Sequence, residues 1–370
     1  MWLEKISLEN FRNYEKIEME FVESDNVHLV IGDNAQGKTN FLEAVFLLSM
    51  SKSFRTAHYD DMISWNSDYM RTTGNVNVDG NDLSLEFFVS KAPVEKKNLR
   101  KNSVDVPVKD FIGRLNSVLF HPEDLNMLYL TPSLRRKYIN SVLSQTDPIY
   151  FDALVNYNRV LKQRNKILMF VSEGHAKTEE LLVWDEKMAE YGCYIYEKRR
   201  EFVSFYNGII SERYQNIAEE NGKIEIKNSC SFGAVPEGKK EYEKALSDCR
   251  SGDLRYQQTQ KGPHRDDLEF FFDGRNVETF ASRGEMRTLL IAVKLAEIEF
   301  LEAQTGYRPI LLLDDVFSEL DKKRQQALLT AISEYQSFVT TTHHDFLIKD
   351  ARVIEVNEGS IVSQKTKNML

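Results

Sequence analysis

Apolar and polar positions change period several times along the chain. Residues 3–8 (LEKISL) alternate, the period-two mark of a half-buried strand, and residues 11–21 continue as a second strand after a turn. Val27–Ile31 is a short, mostly apolar run suited to a buried strand, and residues 41–48 read as a strong helix former. Strand signals return over residues 70–90, where 75–78 and 83–87 flank Asp79-Gly80-Asn81-Asp82 as a hairpin. Ser117–Phe120 predicts a short buried strand. It ends in His121-Pro122-Glu123-Asp124, where the proline and the acids suit a helix start.

From about residue 125 to 250 helix signals dominate. Trp184, Met188, Tyr191, Ile195, Phe202, Phe205 and Ile209 fall on alternating four- and three-residue steps, with one step missed at Lys198. That spacing predicts a coiled-coil-like seam, with residues 150–169 as its partner helix and 172–175 as the connecting turn. The sheet is then expected to resume with residues 223–229 and 268–272, the latter followed by a tight turn at Asp273-Gly274. A long helix over 284–305, a buried strand over 310–313, a helix over 322–334 and strands over 336–342 and 351–356 complete a parallel set. The pattern predicts an α/β domain over residues 1–125 and 251–370, interrupted by an inserted α-helical arm over 126–250.

Composition narrows the class. The chain has 370 residues, room for two or three domains, and its charged fraction of 28% is ordinary for a soluble protein. The start, MWLEKISLEN, lacks a basic-then-apolar leader pattern, and no apolar run approaches a bilayer span, so a cytoplasmic protein without a membrane partner is expected. Cys193, Cys230 and Cys249 show no C-x-x-C spacing, which points to reduced thiols and away from zinc or disulfides. The net charge of −9 does not announce nucleic acid. Basic residues do cluster over 91–101 and 159–166, although either cluster alone is ordinary for a solvated face.

The most specific chemistry lies between the strand Val27–Ile31 and the helix after it. Gly32, Asp33, Asn34, Ala35, Gln36, Gly37, Lys38, Thr39 and Asn40 contain G-x-x-x-x-G-K-[ST] in full. Glycines allow a tight turn whose backbone N–H groups cradle phosphates at a helix N-terminus. Lys38 is placed to reach the β/γ-phosphates and the Thr39 hydroxyl to meet Mg²⁺. The strand over 310–313 ends in Asp314-Asp315, at the carboxyl edge where open α/β sheets hold ligands. Asp314 is placed to hold Mg²⁺, and Asp315 to orient or deprotonate an attacking water. Ser282 suits the cap of the following helix, and Gly284 a close backbone approach to an anion.

Order makes these pieces specific. The phosphate loop, Ser282-x-Gly284, the apolar strand with two acids, Ser318-Glu319-Leu320-Asp321 and Thr342-His343 occur in that sequence. They resemble Walker A, signature, Walker B, D-loop and switch histidine of an ABC-type ATPase head, a P-loop NTPase. The wide gap with a helical arm inside it is similar to SMC and Rad-type heads and unlike transporter subunits.

Over essentially its whole length the chain resembles the RecF family of bacterial recombination mediators. The resemblance rests on residues 8–14, GDNAQGKTN, Lys52-Ser53-Phe54-Arg55-Thr56, Phe120-His121-Pro122-Glu123-Asp124-Leu125, Arg135-Arg136-Lys137, Gly262-Pro263-His264-Arg265-Asp266-Asp267 and LLLDDVFSELD. The signature reads Ser282-Arg283-Gly284-Glu285-Met286, where that family usually carries glutamines around the glycine. Asp315 stands where most ABC-type heads carry glutamate, as is usual for this family. The resemblance implies that one subunit's Walker A binds ATP and a second subunit's signature closes over it, giving an ATP-dependent homodimer with slow turnover. It implies DNA across that dimer, duplex, gap junction or single strand, and action with RecR and RecO in placing RecA. Candidate DNA contacts are Lys52 and Arg55 beside the head and Arg159, Lys162 and Arg164 on the arm, with Asp315 and His343 as catalytic candidates. An SMC-like structural tether is the alternative, weakened by the short arm. His121, His264 and Arg265 are left without a role, and Arg265 paired with Asp266 or Asp267 is a plain structural alternative.

Overall fold

The structure, a computed structural model, describes residues 1–218, 222–342 and 351–366. In chain order, β1 (Trp2–Phe11), β2 (Tyr14–Glu20) and β3 (Val27–Ile31) lead to helix α1 (Lys38–Met50). Strands β4 (Tyr69–Val78), β5 (Asn81–Ser90), β6 (Lys96–Lys101), β7 (Val104–Asp105) and β8 (Ser117–Phe120) follow. Helices α2 (Pro132–Thr146), α3 (Pro148–Ser172) and α4 (Leu181–Ala218) precede β9 (Ile224–Ser229), α5 (Lys239–Tyr256), β10 (Asp267–Phe272) and β11 (Arg275–Asn276). Helix α6 (Arg283–Thr305), β12 (Ile310–Asp314), α7 (Lys322–Ile332), β13 (Ser337–Thr341), β14 (Arg352–Asn357) and β15 (Ser360–Thr366) complete the chain.

Packing divides the chain into two units, one of Met1–Leu125, Arg213–Glu220 and Arg287–Leu370, the other of Asn126–Glu212 and Asn221–Met286. The first unit holds a sheet of order β15-β14-β3-β13-β12-β8, parallel except for the β14–β15 hairpin. Every residue of β3, β8, β12 and β13 is buried, as expected of parallel strands covered on both faces. A second sheet, β2-β1-β4-β5-β6-β7, is antiparallel and alternates buried with exposed positions. Helix α1 is apolar nearly all round and is buried from Phe41 to Met50, as its lack of a polar stripe requires. The predicted hairpin forms with a tighter turn than expected. Val78 pairs with Asn81, and Asp79 and Gly80 both take positive φ, the two-residue turn that matches strand twist.

The second unit corrects two expectations. Strands β9 and β10 do not rejoin the large sheet; they pair with each other, and β11 completes a separate three-stranded antiparallel sheet. The unit therefore runs to Met286, past the expected boundary at residue 250. The seam on α4 also shifts. Met188, Ile195 and Phe202 are buried as predicted, but Phe205 and Ile209 are only half-buried, and Tyr206 and Ile210 take the inner face. A straight helix turns 3.6 residues at a time, so a 3.5-residue seam drifts about 20° per heptad. The missed step at Lys198 is filled one residue on by buried Arg199, which donates to Pro263 O at 2.8 Å and Asn140 Oδ1 at 3.1 Å. The predicted partner helix is α3, joined to α4 by Arg164 and Asp185 at 2.6 Å.

Candidate functional site

The phosphate loop is built by close backbone packing. A Cβ on Gly32 would stand 2.3 Å from Val356 O on β14, so only glycine lets β3 turn there. Gly37 has φ 121°, and a Cβ there would meet the Asn13 amide at 2.9 Å. Helix α1 begins at Lys38 with no side-chain cap, which leaves its first N–H groups for an anion. These N–H groups border a cleft of about 470 Å³ lined by Lys38, Thr39, Asn40, Asp314, Asp315 and Thr340, among others. Lys38 folds back on the loop, donating to Gly32 O at 2.7 Å and Asp33 O at 2.8 Å. Burial pushes its ammonium pKa down, against the opposing pull of Asp315, Asp314 and Asp33.

Strand β12 delivers the acids. Asp314 Oδ1 accepts from Thr39 Oγ1 at 2.8 Å and from Thr340 Oγ1 at 2.9 Å, joining β12, α1 and β13 at one oxygen. Asp315 sits in the left-handed region at φ 49°, its N–H donating to Thr340 Oγ1 at 2.9 Å. His121, at the end of β8, places Nε2 3.7 Å from Asp314 Oδ2. Its Nδ1 accepts from the Glu123 N–H at 3.2 Å, so in the neutral ring Nε2 carries the proton and faces the carboxylate as a donor. The oxygen donors of Thr39 and Asp314 fit a hard dication such as Mg²⁺.

The turn between β1 and β2 supplies residues to which the sequence reading gave no role. Asn13 Nδ2 donates to Gln36 O at 2.8 Å, Asn40 Nδ2 donates to Asn13 Oδ1 at 2.7 Å, and Tyr14 OH donates to Gly37 O at 3.0 Å. Arg12 grips fully buried Glu43 with two bonds of 2.7 and 2.8 Å, and Ser53 also donates to Glu43. A signal was present: residues 8–14 are one of the stretches that carry the family resemblance.

Other predicted residues are placed variously. Ser282 caps α6 as expected, in a reciprocal box: Ser282 N donates to Glu285 Oε2 at 2.7 Å and Glu285 N to Ser282 Oγ at 3.2 Å. Ser282 and Gly284 belong to the second unit, the phosphate loop to the first. Arg55 is exposed and lines the nucleotide-sized cleft, 2.7 Å from Asn40 Oδ1, and Lys52 beside it is half-buried. Arg159 and Lys162 are exposed on α3. Arg164 is not available to DNA: it is fully buried, held by Asp185 at 2.6 Å, Asp253 at 2.7 Å and Thr259 Oγ1 at 2.7 Å. Its step from buried Tyr157, Val160 and Leu168 puts it on the inner face of α3, a periodicity that the charge count ignored. His343 lies outside the described residues.

The G-P-H-R-D-D stretch is part of the second unit's core. His264 joins Tyr157 OH at 2.8 Å to Thr259 O at 3.1 Å, and burial lowers its pKa to about 4. Asp267 takes both arms of Arg135 at 2.7 Å, and Asp266 accepts from Ser231 N, while exposed Arg265 reaches Gln258 Oε1 at 3.3 Å. The alternative pairing of Arg265 with Asp266 or Asp267 is thereby replaced.

The chain matches the RecF/RecN/SMC N terminal domain family over residues 2–364. It is 37% identical to a DNA replication and repair protein RecF of Bacillus cereus (strain G9842), over 98% of each chain. Among solved structures, the recombination mediator protein RecF-ATP in the RecFOR pathway superposes with a TM-score of 0.91 and 33% identity, covering 99% of this chain and 98% of that one. An Smc head domain from Pyrococcus furiosus shares the fold at a TM-score of 0.56 and 15% identity, covering 99% and 96%. Phosphate loop, paired acids and inserted arm thus occur together along one chain, which belongs to the RecF family of DNA replication and repair proteins within the wider SMC-head fold.

Proposed function

We propose that the chain is an ATP-dependent DNA-binding mediator of recombinational repair, with a weak DNA-stimulated ATPase acting as its switch. The observation that carries the reading is the convergence of Lys38, Thr39, Asp314 and Asp315 on one cleft at the start of α1. There the uncapped N–H groups and Lys38 receive the phosphates, the lysine exchanging loop carbonyls for phosphate oxygens. Thr39 and Asp314 hold Mg²⁺, which neutralises phosphate charge when bound. Asp315 orients the attacking water. His121 points a donor toward the same carboxylate edge, fitting it to position a water or a phosphate oxygen.

Closure by a second copy's Ser282 and Gly284 over this phosphate makes the homodimer depend on ATP. Each charge-assisted hydrogen bond gained there is worth about 1.5–3 kcal/mol, so a few suffice. Loss of the γ-phosphate releases the clamp. Duplex or gapped DNA meets Arg159, Lys162 and Lys52 through phosphate contacts that tolerate sequence and weaken with salt. RecR, RecO and RecA are the proposed protein partners. No described helix is long and apolar enough to cross a membrane, in keeping with a cytoplasmic site of action.

The test is ATP hydrolysis against protein concentration, with and without gapped duplex DNA. A rate per subunit that rises with concentration, and further with DNA, is expected of a composite dimer site. A flat rate indifferent to DNA would overturn the clamp.

A further inference from the structure

Asn34, Ala35, Gly37, Lys38, Thr39 and Asn40 line the cleft over the phosphate loop, and Gln36 does not. Its side chain meets instead the tip of the β14–β15 hairpin. The strands are joined there by Glu358 and Gly359, which take positive φ of 48° and 72° in a two-residue turn. A hairpin tip ordinarily stands in water. Here Gly359 is buried, because the tip lies against the phosphate loop.

Hydrogen bonds make the join. The Glu358 N–H donates to Gln36 Oε1 at 2.6 Å, and the Gly359 N–H donates to Gln36 O at 3.0 Å. Asn13 Nδ2 donates to the same Gln36 carbonyl at 2.8 Å from the β1–β2 turn. Successive N–H groups of a turn form a small donor pocket, and Gln36 fills this one with both of its oxygens. The fit is close: a Cβ on Gly359 would stand 2.0 Å from Asn13 O. All of these residues belong to the first unit. Register brings them together. Strand β14 runs parallel to β3 with Glu355 opposite Ile31, so both strands leave the sheet at one edge, and the hairpin tip arrives beside the loop that follows β3.

The consequence lies in one peptide plane. In a trans peptide the C=O and the next N–H point in opposite directions, so fixing the Gln36 oxygen also fixes the Gly37 N–H. The oxygen faces the hairpin and Asn13, and Gly37 lines the cleft. We propose that Gln36 and the Glu358-Gly359 turn are positioning residues for ATP: they hold the Gln36–Gly37 peptide with its N–H toward the phosphates before the nucleotide arrives. The proposal rests on the reading of the phosphate loop as an ATP site.

The test uses the full chain with Gln36→Met, which keeps the side chain's length and removes its acceptor, and with Gly359→Ala, which displaces the turn from the other side. Each is titrated with ATP and with inorganic tripolyphosphate in the presence of Mg²⁺. One net hydrogen bond is worth about fivefold to tenfold in an equilibrium constant, and a loop that must first be ordered binds more weakly by the fraction of the ordered state that is lost. Each variant is therefore expected to weaken ATP and tripolyphosphate alike, about fivefold, with turnover at saturating ATP and the melting temperature unchanged. By reciprocity, ATP slows amide hydrogen exchange at Glu358 and Gly359 in the wild-type chain, and less so in Q36M. Wild-type affinity in either variant, or exchange at the turn that is indifferent to ATP, would overturn the inference while leaving the phosphate loop intact. Weaker binding matched by early melting would reduce the contact to general support of the fold and overturn it as well. If the wild-type chain binds neither ATP nor tripolyphosphate, the phosphate-loop reading itself fails, and this inference with it.

Discussion

Replacing Arg164 by methionine separates a buried ion cluster from a DNA contact. Arg164 is fully buried, and so is Asp253, while the Asp185 side chain is 4% exposed. In the variant, Asp185 keeps Arg250 at 2.8 Å, but among the described residues Asp253 keeps the neutral Gln260 N–H at 2.9 Å and no cation. Removing one partner of a buried pair strands the other charge in low dielectric, at a cost of about 3–5 kcal/mol. For a unit of about 150 residues, each kcal/mol lowers the melting temperature by about 2–4 °C, so the second unit should melt about 6–20 °C earlier. Differential scanning calorimetry on the full chain reads this as one displaced transition. The comparison variant, Arg159→Ala with Lys162→Ala, removes two exposed charges and should leave that transition in place. It should instead weaken DNA binding and flatten its salt dependence, by about 0.9 in log–log slope for each phosphate that is no longer neutralised. An R164M chain that melted like wild type and bound DNA poorly would refute the burial argument.

Three further outcomes follow from the site and the core. Lys38→Met should abolish ATP binding and ATP-dependent dimerisation, read by equilibrium binding and light scattering; a dimer insensitive to the change would refute closure over the phosphates. Asp315→Asn should retain ATP and prolong the dimer while stopping phosphate release, and normal turnover would mean that another group directs the water. His28, on β3 between Phe21 and Phe338, has its pKa lowered to about 3 by burial, with the Arg352 charge adding to the effect. The unfolded chain takes up that proton near pH 6.5 and the fold does not, so the stability is full above about pH 6.5 and is lost as pH falls toward 3, at up to about 1.4 kcal/mol per unit. His28→Phe should flatten the acid limb of urea-unfolding stability, and an unchanged limb would remove His28 from the cause.

The head and the cleft over its phosphate loop were legible because their signals are local. Short, mostly apolar runs marked β3, β8 and β12 as buried strands, and Asp79-Gly80 marked a turn. Lys38 and Thr39 follow from loop chemistry within one turn of helix, and Asp314 from its place at the end of an apolar strand. Tertiary structure alone decided what those residues meet. Leu3 and Gln336 exchange two hydrogen bonds of 2.8 Å across 333 residues, and no spacing rule reaches that far. The same holds for β10, whose alternation fits any half-covered sheet and whose partner, β9, is chosen by hydrogen-bond register. Basic residues 159–166 look alike in sequence, yet Arg159 and Lys162 face solvent while Arg164 is matched by Asp185 and Asp253 from two other helices. Spacing and propensity are fixed between near neighbours. Whether a charge can be buried depends on a counter-charge brought from elsewhere in the chain, and only the folded arrangement supplies it.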